Sequence, residues 1–498
     1  MTASDEALNT AQPPLPPRPP AASTFEAILL ALLAIPLCVA LAALAWRSTL
    51  KIPINYNEGP NAYFVSAVLA GGPLYFPPEA LPTNNYPPLF FYLLAPLTSL
   101  IGDAIFAGRL LAWLAFAAVT ALIVAIPYRR NRDLLACLFG GTIFAAYMVT
   151  NYDIYVGMDD PQILAHAIML LGLFVALRSP HASWSSIAAA ILMAAGLFVK
   201  HNIVALPAAL AVWLAIHYRR AAVRFVTAGI LTGGIGLACC RLAFGPDFLT
   251  SLHAPRQYLP VRGWRHVVEW LFPMQLPILL AMLGAVIDRE NRTTTLFAGY
   301  LLIAIVLACL LTSGAGVNFN LMFEVVIAFS LVASQLLARL RRYRSLRRWA
   351  IGGYAFAALL GAGLIGTKDE LLLRPWIATQ RAREAATVAT VRLLAEHPGP
   401  ALCETPALCY WAHKPLELDS FNFGQGVIAG TKDERLVLQR IATGYYGVLE
   451  FAGGGPAQAG PGFLGPRLPA AAAATTRYRL LPAPPSVGIV YANDDPAR

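Results

Sequence analysis

The sequence predicts a polytopic α-helical membrane protein with about eleven transmembrane helices and a small C-terminal α/β domain outside the membrane. The 498-residue chain is 57% hydrophobic and only 13% charged, whereas soluble domains carry about 25% charged residues. Apolar runs close to the ~20 residues that cross a ~30 Å hydrocarbon core recur along the chain. Beyond about residue 366 the hydropathy falls, so residues 367–498 are predicted to form the outer domain.

The N-terminal region divides into a tail and a first membrane helix. Residues 1–22 are rich in Pro and are predicted to be a disordered cytoplasmic tail. The apolar run Leu29–Ala45 lacks a small-residue cleavage site, so it is interpreted as a retained helix rather than a removed signal peptide. A membrane domain is predicted over 23–366, with spans at about 25–46, 104–127, 133–150, 161–177, 184–200, 202–217, 222–243, 268–287, 293–312, 319–338 and 349–366.

The first outer loop, 47–103, is long and contains an apolar run at 89–101. That run is short and Pro-rich, so it is predicted to lie along the membrane surface. With this choice the basic clusters of the short loops all fall on the side of the N-terminus. They are Arg129, Arg130 and Arg132; Arg178; Arg219, Arg220 and Arg224; Arg289 and Arg292; and Arg339 to Arg348. The positive-inside rule makes that side cytoplasmic and the C-terminal domain external.

The net charge of +10 follows from the same loop clusters, so a nucleic-acid partner is not predicted. In the outer domain, "RAREAATVATVRLLAEH" and "DERLVLQRIA" predict helices, and "ALCE" and "GIVYAN" predict strands. The Gly/Pro/Ala-rich stretch 451–474 predicts a mobile loop. Cys403 and Cys409 could form a disulfide if the domain is extracytoplasmic, and the other five cysteines lie in apolar runs.

Polar residues that are unusual beside apolar runs collect on the outer face. The first outer loop holds Asn57, Glu58, Asn61, Asn85 and Tyr86; later outer segments add Asp159, Asp160, Lys200, His201, Arg256, Arg262 and Asn318. Ionisable groups at the membrane edge are costly unless paired or hydrated, which makes them functional candidates.

Each candidate also has a simpler structural interpretation. Glu58 could be an ordinary loop acid, and Asp159-Asp160-Pro161 could be a plain helix start in which one Asp caps the helix. Lys200 could end a span with its ammonium at the surface. The arginines could bind lipid headgroups. These alternatives stay open at this point.

The acidic and the basic residues of the outer face can have two different chemical roles. A carboxylate can take a proton from an attacking hydroxyl as general base, while Lys and Arg can hold a phosphate as it leaves. This combination suits transfer of a group from a lipid phosphate. The Gly-rich segments match neither a P-loop nor a dinucleotide fingerprint, and the His residues lack metal-ligand spacing.

Several motifs in this order resemble the GT-C glycosyltransferase superfamily, in the branch of protein O-mannosyltransferases and the bacterial lipid A aminoarabinose transferase. They are an acidic motif after the first span, "GGPLY", "NNYPPLFFYLLAPL", "DDPQILAHAIML", "GAGVNFNLMFE" and "ALCETPALCYWAHKPLELDSF". The resemblance covers about 50–430. It implies a multi-pass enzyme of the bacterial inner membrane, with its site facing the periplasm, that uses a polyprenyl-phosphate-linked sugar.

The resemblance also implies residue roles. Family members carry Asp-Glu in the first outer loop, where this chain has Asn57-Glu58, so Glu58 becomes the candidate base. Asp160, with Asp159 beside it, falls on the second-loop acid that positions the acceptor or a metal. Lys200, with His201, Arg256 and Arg262, would bind the donor phosphate. Asn57, Asn61, Asn85, Tyr86 and Asn318 would bind substrate. No cofactor is required, and a divalent cation is left open.

The predicted function is therefore inverting transfer of a sugar from a polyprenyl-phosphate donor to a lipid, glycan or protein acceptor. A transporter or lipid-linked glycan flippase is the main alternative, because it also needs many spans and a few buried charges. Transporters place those charges near the midplane, whereas here they lie at helix ends. An assembly or scaffold protein and an oligosaccharide polymerase or ligase complete the alternatives.

Overall fold

The computed structural model describes residues 21–253, 257–314, 316–343, 346–366, 368–452, 463–484 and 487–493. The chain folds into a helical bundle followed by a small domain with one sheet. The predicted fold class, a polytopic helical membrane protein with a small C-terminal α/β domain, is confirmed. Residues 1–20 of the predicted tail, and Arg256, lie outside the described residues.

Sixteen α-helices of the described residues precede the sheet; the first fifteen form the bundle, and the last belongs to the C-terminal domain. They are α1 Thr24–Ser48, α2 Glu58–Ala70, α3 Leu89–Ile101, α4 Ala104–Asn131, α5 Leu134–Asn151, α6 Pro161–Arg178, α7 Ser183–Val199, α8 Ala205–His217, α9 Arg219–Phe244, α10 Asp247–Leu252, α11 Pro260–Leu271, α12 Gln275–Ile287, α13 Arg292–Leu311, α14 Phe323–Arg342, α15 Arg347–Gly366 and α16 Leu373–Glu396.

Eight segments of the described chain are long and apolar enough to cross a membrane. They are Thr24–Ser48, Ala104–Asn131, Leu134–Asn151, Pro161–Arg178, Arg219–Phe244, Pro260–Ile287, Arg292–Leu311 and Phe319–Arg342. Helices also form at the other three predicted spans, as α7, α8 and α15, but α7 and α8 are shorter. Helix α3 has 13 residues and so extends only about 20 Å, which is too short to cross the hydrocarbon core.

The segment 244–268 is not the open loop that hydropathy suggested. It contains α10 and α11, and α11 continues through the 3-10 turn Phe272–Met274 into α12. The reason is that "PVRGWRHVVEWL" alternates apolar and polar residues with helical period, which favours an amphipathic helix. Val261 and Trp264 are 87% and 71% exposed on its apolar face.

A buried ion cluster ties three helices together at the end of the bundle where α1 begins. Arg341 on α14 pairs with Glu26 on α1, at 2.9 Å, and with Asp133, the N-cap of α5. Glu26 also completes a capping box with Ser23. All three charged groups are buried, and Arg341 supplies the counter-charge that burial of the two carboxylates requires.

The C-terminal domain contains a four-stranded sheet in the order β1-β2-β4-β3. Its remaining elements are β1 Ala401–Cys403, α17 Pro406–Trp411, α18 Ser420–Ile428, α19 Arg435–Thr443, β2 Val448–Phe451, α20 Arg467–Ala474, β3 Tyr478–Leu481 and β4 Ile489–Asn493. Strand β1 pairs with β2 in parallel, and the other two pairings are antiparallel. The two predicted strands and two predicted helices are present, as β1, β4, α16 and α19.

The prediction of a mobile loop over 451–474 is wrong at both ends. Phe451 belongs to β2, and 467–474 form α20 with Leu468 buried. Alanine has the highest helix propensity, so the run of five Ala favours a helix once Leu468 can pack into the core. Residues 453–462 lie outside the described residues.

A disulfide-closed turn docks the C-terminal domain on α2. Cys403 and Cys409 are bonded, and the turn between them approaches Gly59 so closely that an added Cβ would lie 2.3 Å from the Ala407 nitrogen. The Trp411 indole donates to Asp103 at 3.0 Å, and the Tyr63 hydroxyl donates to the Lys414 carbonyl at 2.6 Å. The start of α2 therefore depends on the C-terminal domain for its packing.

Candidate active site

One large cavity, of about 1640 Å³, lies between the loops of the bundle and the C-terminal domain. The first outer loop, the α7–α8 turn, α11, the segment before α14, α16 and α18 all contribute to its wall. Seven of the sequence-predicted site residues line it: Asn57, Asn85, Tyr86, Lys200, His201, Arg262 and Asn318. The fold therefore brings together side chains that are dispersed over more than half of the sequence.

Lys200 is not a surface lysine at the end of a span. Only 5% of it is exposed, and its Nζ lies 3.9 Å from the centroid of the Tyr86 ring. A cation this close to an aromatic face is attracted by the ring quadrupole, more strongly when partly desolvated. The contact fixes the ammonium at the cavity wall, where it can meet an anionic group.

Glu58 lies behind the cavity wall in a buried ion pair with Arg109. Its two carboxylate oxygens accept from Arg109 Nε and Nη2, each at 2.7 Å, and one also accepts from the Ile54 N–H at 2.8 Å. Arg109 donates further to the Ser48, Leu50 and Ile52 carbonyls. Both side chains are at most 1% exposed. The pair fixes the 48–58 segment that forms one edge of the cavity.

Asp159 and Asp160 have different surroundings. Asp160 is the N-cap of α6: one carboxylate oxygen accepts from the Gln162 N–H at 2.8 Å, and the other accepts from the Asn57 side chain at 3.2 Å. The structure thus assigns the capping role to the same acid that the resemblance singles out. Its bond to Asn57 places it one side chain behind the cavity surface.

Asp159 is fully buried against Gly108, and neither of its carboxylate oxygens has a hydrogen-bond partner among the described residues. Burial raises the pKa of Asp159 well above its usual value; the nearby charges of Glu58 and Asp160 raise it further, and Arg109 lowers it. Asp159 does not line the cavity, so its carboxyl group is not presented to a substrate there.

The remaining predicted residues have supporting contacts. Asn61 is buried and donates to the Asp159 carbonyl at 2.9 Å. Asn318 accepts from the Phe319 N–H at 2.7 Å, and Asn320 bonds Gln162 at 3.3 Å. The late loop is thereby joined to the start of α6.

Three rings form the wall between the first loop and the C-terminal domain. Tyr56 lies 5.0 Å from Phe421 and 4.8 Å from Phe463, centroid to centroid, and all three residues line the cavity. Aromatic faces at this spacing pack favourably with one another. They extend the apolar part of the cavity wall, to which Ile54, Trp270 and Phe319 also contribute.

The charged residues Glu269 and Arg383 of the cavity wall were not among the sequence-predicted site candidates. Glu269 is the one acidic side chain among the described residues that line the cavity. Glu269 could have been found from the polar face of the amphipathic segment 260–271. No sequence pattern singles out Arg383, because the sequence of α16 is that of an ordinary helix of the C-terminal domain.

No group of three or more His, Cys, Asp and Glu side chains within the described part of the chain could hold a metal ion. Asp160 bonds to Asn57 and to the backbone of Gln162 rather than to a second acid.

Residues 85–243, just under a third of the chain, match the family model of dolichyl-phosphate-mannose-protein mannosyltransferase. No curated protein sequence matches the chain significantly. The crystal structure of ArnT from Cupriavidus metallidurans bound to undecaprenyl phosphate aligns with a TM-score of 0.61 and 14% identity, covering 95% of this chain and 98% of that chain. The apo state of the same protein aligns with a TM-score of 0.60, at the same identity and coverage.

This chain has a GT-C fold of the ArnT type. The match extends over nearly the whole of both chains, so it includes the C-terminal domain as well as the bundle. In the GT-C fold of this chain, the cavity lies where the first outer loop, the α7–α8 turn and the C-terminal domain meet. The resemblance found in short sequence motifs is thus matched by the architecture.

Proposed function

We propose that this protein is a membrane glycosyltransferase that moves a sugar from a polyprenyl-phosphate donor to an acceptor hydroxyl in the cavity. The observation that carries the proposal is the composition of that cavity, in which Lys200, Arg262 and Arg265 line the wall close to Asn57 and the Asp160 behind it. Cations that can hold a phosphate and a carboxylate that can take a proton are the two requirements of this transfer.

The transfer is a single displacement. The acceptor oxygen forms a bond to the anomeric carbon of the sugar as its proton passes to a carboxylate. The bond between the anomeric carbon and the phosphate oxygen breaks, and the polyprenyl phosphate leaves with the electron pair. Lys200 and the arginines stabilise the charge that develops on the phosphate. Attack opposite the leaving group inverts the anomeric configuration.

Asp160 is the favoured base. Asn57 and the Gln162 N–H fix its carboxylate, and it is 4% exposed, so little reorganisation precedes proton transfer. Glu58 takes a positioning role instead, because the buried Arg109 guanidinium pairs with its carboxylate, whereas Asp160 accepts only from neutral donors, the Asn57 amide and the Gln162 N–H. Glu269 is a second candidate base, since its carboxylate lines the cavity directly.

The likeness to an ArnT structure bound to undecaprenyl phosphate supports a polyprenyl phosphate as the lipid part of the donor. The acceptor belongs to the lipids, glycans or proteins that reach the cavity. The positive-inside pattern supports a cytoplasmic N-terminus and a periplasmic C-terminal domain in a bacterial inner membrane. Such a domain would meet oxidising conditions, which is consistent with the Cys403–Cys409 disulfide.

The test is a transfer assay with purified full-length protein in lipid nanodiscs, native polyprenyl-phosphate sugars and a membrane lipid extract, read by mass spectrometry. Wild type should give a product that has gained one sugar mass. Asp160→Asn should lower kcat by about 10²–10⁴-fold, the usual contribution of a general base. Asp159→Asn is the matched control, because it removes the neighbouring acid and should keep kcat close to wild type.

Two outcomes would contradict the assignments. Loss of turnover in Glu269→Gln with full activity in Asp160→Asn would make Glu269 the base. Absence of sugar transfer with any donor, together with movement of the lipid-linked sugar across the bilayer, would replace the proposed function by transport.

A further inference from the structure

The cavity holds more positive charge than a polyprenyl-phosphate donor neutralises. Four cationic side chains of the described residues line it: Lys200, Arg262, Arg265 and Arg383. Glu269 and the nearby Asp160 supply two negative charges, and a donor phosphodiester brings one more. Positive charge therefore remains even with a donor bound. The sequence of 453–462, between two residues of the cavity wall, contains no charged side chain to balance it.

Arg383 is the cation for which this surplus matters most. Arg262 and Arg265 are exposed and can be hydrated, whereas Arg383 is largely removed from water. Its hydrogen-bond partner in the described structure is the Gln380 amide oxygen, at 3.1 Å, and it forms no ion pair there. Burial lowers the pKa of Arg383. Desolvating a guanidinium beside neutral groups alone is unfavourable, and an anionic partner would offset that cost.

The helix that carries Arg383 is held firmly against the bundle. The carboxylate of Glu384, the next residue, accepts from the Lys51 N–H at 2.8 Å. The ring centroid of Trp376, two turns earlier on α16, lies 5.8 Å from the ring centroid of Trp46 at the end of α1. Arg109 donates to the Ile52 carbonyl at 2.5 Å and so fixes the same 50–54 segment. The guanidinium is therefore attached to a preorganised wall. Binding of a ligand there would cause little loss of conformational entropy in the protein.

We propose, on the basis of the proposed function, that Arg383 binds an oxyanion of the acceptor, a phosphate or a carboxylate, on the C-terminal-domain side of the cavity. The donor phosphate is assigned to Lys200, Arg262 and Arg265, because these residues belong to the membrane helices and their connections, where the polyprenyl chain must remain. Arg383 belongs to α16, beyond the last helix of the bundle. A guanidinium can make two parallel hydrogen bonds to either oxyanion.

The experiment compares wild type, Arg383→Gln and Arg383→Lys as full-length proteins in nanodiscs. It measures the KM for the acceptor found in the lipid extract, the Kd for undecaprenyl phosphate and the thermal stability. Arg383→Gln should raise the acceptor KM about 10- to 100-fold, as expected for a lost charge-assisted hydrogen bond, and leave the Kd for undecaprenyl phosphate unchanged. Arg383→Lys should restore part of the affinity, since Lys keeps the charge but not the planar fork.

Arg381→Gln is the matched control, because Arg381 is an exposed arginine on the same helix. Arg381→Gln should change neither the KM for the acceptor nor the Kd for undecaprenyl phosphate. An acceptor KM that is unaffected by Arg383→Gln would overturn the proposal. So would an equal loss of undecaprenyl phosphate binding, which would assign Arg383 to the donor, or a loss of thermal stability that accounts for the whole effect.

A second readout separates this proposal from the proposed function. If wild type transfers no sugar, binding of phosphatidic acid and of diacylglycerol with the same chains is measured by native mass spectrometry at saturating undecaprenyl phosphate. Preference for phosphatidic acid that disappears in Arg383→Gln would support the oxyanion site without transferase activity. Equal binding of the two lipids by wild type would overturn it.

Discussion

Glu58 and Arg383 are both charged side chains beside the same cavity, yet their surroundings are opposite. Arg109 and two backbone N–H groups engage the carboxylate of Glu58, whereas the guanidinium of Arg383 meets one neutral amide oxygen. A buried charge whose bonds are complete within the protein stabilises the fold. A desolvated charge whose bonds are incomplete is available to a ligand. Charge alone therefore does not identify the catalytic residues of this cavity.

The largest expected effect comes from breaking the buried ion pair between Glu58 and Arg109. Glu58→Gln should destabilise the protein by about 3–5 kcal/mol, because it leaves the Arg109 guanidinium buried without its counter-charge. Thermal unfolding of the purified full-length protein in detergent measures this loss. Glu26→Gln, at the other end of the bundle, is a matched comparison, since Glu26 is equally buried beside Arg341.

The double variant Glu58→Gln/Arg109→Gln tests the role of the pair. Removing both charges avoids the uncompensated ion and should recover much of the stability. If Glu58 only positions the loop, transfer activity should recover in parallel. A stable double variant without activity would instead make Glu58 part of the chemistry.

A smaller effect is expected at the donor side of the cavity. Lys200→Gln removes the ammonium that lies over the Tyr86 ring, and should weaken binding of undecaprenyl phosphate about tenfold or more, the value of one charge-assisted contact. Native mass spectrometry measures the Kd. Unchanged undecaprenyl phosphate binding would show that Lys200, like Glu58, has a structural role.

The smallest effect concerns Glu450 in β2, a buried acid without a cationic partner in the described structure. Its oxygens accept from the Thr405 N–H at 2.8 Å and the Thr405 hydroxyl at 3.0 Å. Burial raises the pKa of Glu450 to about 8; the Thr405 bonds oppose the shift, and the charge of Glu404 adds to it. Between about pH 4.5 and 8 the folded domain keeps a proton that the unfolded chain has lost, so stability falls as pH rises.

The Tm of full-length wild type should therefore decline from pH 5 to pH 9, and Glu450→Gln should give a shallower decline. Glu396→Gln, which removes an exposed acid of the same domain, should follow the wild-type curve. Parallel curves for wild type and Glu450→Gln would contradict the raised pKa.

The sequence was sufficient for the bundle because long apolar runs and basic loops are strong local signals. It also predicted that the apolar run at 89–101 is too short for a full span, and the structure forms the 13-residue helix α3 there. It missed α11 and α20 because each contains or adjoins Pro and Gly residues, which are typical of loops. Helix formation there depends on packing and on an amphipathic period rather than on hydropathy.

The site was predictable as a set of positions but not as a set of roles. Asn57, Lys200, Arg262 and Asn318 line the cavity as predicted, because each follows or precedes a membrane helix at the same face. The pairing of Glu58 with Arg109 joins residues 51 positions apart, and no local pattern indicates it. The burial of Asp159 likewise depends on Gly108, where the absence of a side chain leaves room for the carboxylate.

The contact between α2 and the disulfide-closed turn has a consequence for biosynthesis. Tyr63 and its hydrogen-bond partner Lys414 are 351 residues apart, so a ribosome completes all the membrane helices before the turn that packs on Gly59 exists. A nascent chain at that stage has a bundle but lacks one wall of its cavity. Completion of the cavity is thus coupled to synthesis of the last fifth of the polypeptide, and shorter chains inserted in the membrane would lack the wall that the C-terminal domain supplies.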